Sequence, residues 1–180
     1  MVDKFDWHYY LIGFIMLISG LSLLYNYQAS IKDFIILVGL IAILKGFLNF
    51  NIFYQTQETI PVPALKNVFF YTAVFSIVHG LVIVFSGFSS DIWMHYLVGI
   101  WCLIDVIPHL LCQLAHPLKK EKLGITLICL YGVSILAAIV LFVPTSIMPL
   151  SASIVLGIYL IATSINLAIM PLKNKKEPFL

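Results

Sequence analysis

Arginine is absent from this chain and charge of either sign is scarce: ten lysines and eight acids among 180 residues, 10% charged against 62% hydrophobic. A water-soluble domain of this length needs far more polar surface. The basic faces that a nucleic-acid binder requires are missing as well, which removes nucleic acid as a partner. Cysteine is thin: Cys102, Cys112 and Cys129 make an odd count with no C-x-x-C, all within or at the edge of apolar segments. They read as small buried hydrophobes, not as a disulfide framework or redox relay. No H-E-x-x-H, P-loop or G-x-S-x-G motif occurs. The histidines at 8, 79, 95, 109 and 116 form no i,i+4 pair that would grip a metal. The sequence thus names no catalytic residue, no metal ligand and no cofactor, and the expectation is a non-enzymatic protein. The first eight residues hold Asp3, Lys4 and Asp6, lack a positive stretch and precede no A-x-A-like site. The first apolar segment is therefore expected to stay as an anchor.

What is present is long apolar runs, with a mean hydropathy of +1.06. A spanning helix needs about 20 mainly apolar residues, and six segments qualify: 9–25, 31–50, 67–85, 92–114, 123–143 and 150–170. The spacing predicts an all-α polytopic bundle of six transmembrane helices, one membrane domain over residues 1–180. Lysines in short loops set the orientation. With the N-terminus inside, the inner set is Lys4, Lys66, Lys119, Lys120, Lys122, Lys173, Lys175 and Lys176, and Lys32 stands alone outside. Both ends are then cytoplasmic and the protein is a multi-pass component of a plasma (inner) membrane. Trp7, Tyr9 and Tyr10 suit one interface, Trp93 and Tyr96 the other.

Self-similarity organises the helices. Gly20 and Gly39 are nineteen residues apart, Gly80 and Gly99 repeat that spacing, and Ala138 and Gly157 repeat it again with alanine in place of the first glycine. The segments Gly39–Lys45, Gly99–Asp105 and Gly157–Thr163 match in character. We read three tandem helical hairpins, about 7–55, 66–116 and 122–171, related by an axis along the membrane normal. Small residues let backbones approach closely in lipid. Gly13/Gly20, Gly39/Gly46 and Gly80/Gly87, each seven apart, mark packing faces, as do Gly99 and Gly157.

Ionisable groups inside a span cost roughly 2.5–3.5 kcal/mol each on insertion scales, so they are the candidate site. The repeat aligns Lys45, Asp105 and Thr163, six residues after their glycines, and aligns Asn49 with His109 one turn further inward. The even-numbered spans thus each carry a polar patch in their inner half. Two readings of Lys45 follow. It can snorkel to the headgroups from about one and a half turns within the span, or pair with Asp105 across the bundle with His79 and His109 nearby. Asp105 is too short to snorkel and is expected to face a partner or water. For His79 a hydrogen bond to a neighbouring helix competes with a proton-relay role. Pro108 should bend the fourth span, and the basic inner loop 116–122 and tail 173–177 are accounted for by orientation alone.

The apolar run with glycine, the short polar outer turn, the second run opening Gly-Ile and the basic inner loop resemble the HdeD-like acid-resistance membrane proteins. The residues carrying this are 14–20 through 38–46, 78–80 through 97–105, and 143–164. The resemblance spans about residues 7–170 and departs from the family in lacking proline at the first outer turn, 26–30. It implies a six-span membrane protein tied to acid or envelope-stress tolerance, and no known reaction. Two rival expectations stand beside it. One is a small transporter or proton conductor using Lys45, Asp105 and the histidines; the other is an accessory subunit of a larger membrane assembly. The expected partners are the lipid bilayer and a second copy or another membrane protein.

Overall fold

The computed structural model describes residues 7–28, 30–56, 63–86, 90–115, 122–143 and 151–176. In a bilayer a backbone N–H or C=O can bond only within the protein, and helices do this segment by segment. The apolar runs fold accordingly: α1 (Trp7–Tyr25), α2 (Ile35–Thr56), α3 (Pro63–Phe85), α4 (Asp91–Ala115), α5 (Lys122–Val140) and α6 (Ala152–Lys176). The fold is an all-α bundle, and among the described residues five of the six helices are long and apolar enough to cross a membrane. Helix α5 carries a shorter apolar stretch, Gly124–Val140. The sequence placed this segment's end at 143. Instead Phe142 N–H turns to Ile139 O at 3.0 Å and Val143 N–H to Val140 O at 3.0 Å, tightening the chain out of the α-helix. Val143 precedes Pro144, whose ring disfavours α geometry in the residue before it.

The turn before α2 is built locally. Ser30 caps a 3₁₀ turn, Ile31–Phe34, accepting from Lys32 N–H at 3.2 Å, while its own N–H donates to Asp33 Oδ2 at 3.0 Å. Pro108 lies within α4, which remains helical on both sides of it. The loop residues 57–62, 87–89, 116–121 and 144–150 lie outside the described residues, and with them Gly87 and most of the basic inner loop.

Helices α2, α4 and α6 form the interior. Within their spans 56%, 50% and 61% of residues are buried, against 39% for α1 and 33% for α3. They bury matching positions: Val38, Ala42, Lys45 and Asn49 on α2; Val98, Cys102, Asp105 and His109 on α4; Leu156, Leu160, Thr163 and Leu167 on α6. The 4-3-4 spacing is that of a coiled-coil seam. Trp7 and Trp93 stand exposed, whereas Tyr9 is buried in the core. Cys102 is buried, whereas Cys129 faces outward from α5.

Each inner helix packs on the outer helix that follows it in the ring, α2 on α3, α4 on α5 and α6 on α1. At two of these seams glycine faces glycine. A Cβ on Gly39 would lie 2.8 Å from Gly80 O, and one on Gly80 2.7 Å from Gly39 O. The same reciprocity joins Gly20 and Gly157, at 2.9 and 3.0 Å. Gly46 faces Ala73 and Ile77, and Gly13 faces Ser164, whose hydroxyl donates to Gly13 O at 2.7 Å. The third seam differs. Ala138 has a Cβ of its own, and Gly99 meets the ring of Phe142 and Leu141 Cβ instead of a backbone.

Gly80→Ala should therefore destabilise the bundle by about 1–3 kcal/mol through overpacking. Gly132, with nothing within 4 Å of a built Cβ, should accept alanine without loss. Unfolding of the purified protein in detergent, by heat or graded SDS, checks the contrast; equal effects at the two sites would refute the seam.

Candidate functional site

The repeat position six residues after each inner-helix glycine brings Lys45 and Asp105 together. Their Nζ and Oδ2 atoms are 3.2 Å apart, with the side chains 1% and 0% exposed. The amine of Lys45 thus turns inward; the snorkelling alternative is replaced because α4 offers a carboxylate at the same depth. An ion pair removed from water must recover its desolvation cost through geometry and further hydrogen bonds. Asp105 gains one from α6: Tyr159 Oη–H donates to Oδ2 at 3.0 Å. The same hydroxyl lies 3.4 Å from Cys102 O. Tyr159 in turn packs edge-on against Trp101, ring centroids 5.9 Å apart. Thr163, the third residue at this repeat position, donates to its own helix at Tyr159 O, 2.9 Å away.

One turn further along, His109 Nε2 lies 3.1 Å from Asn49 Oδ1, a second link between α4 and α2. Aromatic rings enclose the imidazole: Phe69 of α3 edge-on at 5.4 Å and Tyr131 of α5 stacked at 6.2 Å. Lys45, Asp105, His109, Thr163, Tyr131 and Asn166 line a common cavity of about 10 Å³, together with Val106 and Leu167. That volume is enough for about one water molecule.

His79 stands apart from this cluster. Its Nε2 lies 2.8 Å from Leu97 O and its ring stacks on Phe75 at 4.8 Å. It ties α3 to α4, the helix-linking alternative, and it does not join Lys45 and Asp105. Tyr159, Asn166 and Tyr131 were not singled out in the sequence. Tyr159 and Asn166 had a signal available, since both share a helix face with Thr163 at i−4 and i+3. Tyr131 sits on an outer helix in an apolar run and had none.

Among the described residues no three His, Cys, Asp or Glu side chains gather to hold a metal ion. The arrangement links three helices, α2, α4 and α6, through Lys45, Asp105 and Tyr159. Breaking such a pair strands the surviving charge, at a cost of about 3–5 kcal/mol, whereas replacing both partners by apolar residues is close to neutral. Lys45→Met and Asp105→Asn should each destabilise by that amount, and Lys45→Met/Asp105→Leu should recover most of it. A double-mutant cycle on unfolding free energies measures the coupling; strictly additive losses would show that the charges do not support each other.

Compared with family models, curated proteins and solved structures, the chain matches none.

Proposed function

We propose that this chain is a non-enzymatic, six-crossing protein of the HdeD-like kind, held in a plasma (inner) membrane with both ends cytoplasmic, and serving acid or envelope-stress tolerance. The observation that carries this reading is the buried Lys45–Asp105 pair at 3.2 Å, where the inner helices meet. Two further contacts surround this pair: Tyr159 donates to Asp105, and His109 meets Asn49. Such a centre is suited to holding a bundle in one state. The outward-facing residues of α1 and α3, among them Phe14, Ile18, Tyr71 and Val78, offer an apolar surface to a second copy or another membrane protein.

The test is survival of acid challenge by cells of the source organism. Deletion should lower survival, the wild-type gene should restore it, and Lys45→Met/Asp105→Leu, which keeps the bundle but removes the charges, should not. A deletion strain as tolerant as its parent to acid and to other envelope stresses refutes the role.

One feature favours a second reading, a small proton conductor or transporter: Lys45, Asp105 and His109 line the same cavity. Protein reconstituted in liposomes would then carry a proton or solute flux that Asp105→Asn abolishes. Absence of flux from the wild type, or equal flux in the variant, rejects this reading.

A further inference from the structure

Four polar atoms on the residues lining the central cavity have no hydrogen-bond partner among the described residues: Asp105 Oδ1, His109 Nδ1 and both amide atoms of Asn166. All three side chains are at least 97% buried, at 0%, 3% and 1% exposure. Buried polar groups are bonded in folded proteins almost without exception, and each one left unbonded carries a desolvation penalty. Their gathering around a space of about 10 Å³ is therefore informative. We propose that this cavity is a binding site for one water molecule, held by Asp105, His109 and Asn166.

Size, donor pattern and charge agree. The space fits a single water with two to four polar partners. With His109 Nε2–H donating to Asn49 Oδ1, the neutral ring presents Nδ1 as an acceptor. The water can donate one hydrogen to Nδ1 and the other to Asp105 Oδ1, and accept from the Asn166 amide. A monovalent cation fits worse. Lys45 lines the same cavity and already balances Asp105, so a cation would add an uncompensated charge beside a buried ammonium. The water joins Asp105 to His109 along α4 and ties both to Asn166 of α6, extending the direct His109–Asn49 link to α2.

The site goes beyond the stress role proposed above and is tested without it. A structure of the wild-type protein in lipid, at a resolution that shows ordered water, should contain a density peak within hydrogen-bond distance of Asp105 Oδ1 and the Asn166 amide; none there overturns the site. The sign of a stability change gives a second test. Asn166→Leu preserves shape. If the water is present, the substitution removes one of its supports and lowers the unfolding midpoint by about 4 °C. If the cavity is dry, it deletes an unbonded amide, and a midpoint equal to or above wild type overturns the proposal. Replacing sodium by choline should leave the wild-type midpoint unchanged; a sodium-dependent rise assigns the site to a cation and overturns it as well.

Discussion

Inside a bilayer a polar group has no solvent to fall back on, and every unusual feature of this bundle answers to that constraint. It forces the backbone into helices, and it forces the charged side chains of two inner helices to find each other. Asp105 is too short to reach the headgroups, and Lys45 turns inward to meet it at 3.2 Å. Once they pair, the register of α2 against α4 is fixed, and Asn49 falls opposite His109 one turn along. Tyr159 then pins α6 to the same carboxylate. A buried ion pair contributes little net stability compared with apolar packing, but it discriminates strongly against any shifted arrangement, since a slip of one turn would strand both charges.

Glycine solves the complementary problem of bringing helices together where no hydrophobic force does so. Lipid tails are as apolar as leucine, so association relies on close van der Waals contact and hydrogen bonds across the seam. The Gly39–Gly80 and Gly20–Gly157 pairs bring backbone to backbone, and Ser164 adds a hydroxyl bond to Gly13 O. Where alanine occupies the corresponding position, at Ala138, the neighbouring glycine, Gly99, receives an aromatic ring instead. A single methyl group thus separates two kinds of helix contact within one bundle.

The helices and the polar level of the core were legible in the sequence because both follow from periodic rules. Apolar length marks a span, and the glycine spacing aligns Lys45, Asp105 and Thr163 without reference to coordinates. The direction of the Lys45 side chain was not legible, since a lysine near a span's end satisfies the outward and inward readings equally until its neighbour is known. The helix-linking role of His79 was among the sequence's alternatives, but its partner was not legible. Its position shows that an imidazole lies mid-span, but its partner is a main-chain carbonyl, Leu97 O, and every residue carries one. The burial of Tyr9 was not legible either, because it depends on which face of α1 the neighbouring helices cover. The end of α5 moved inward through backbone geometry ahead of Pro144, which apolar character does not record.

The packing of α6 on α1 has a consequence for biogenesis. Helix α6 is translated after α2 to α5, yet it is the partner of α1, so the Gly13/Gly20 face of α1 stays uncovered until α6 has been made. A chain cut ahead of α6 therefore lacks both the cover of that face and the Tyr159 hydroxyl that supports the Asp105 carboxylate.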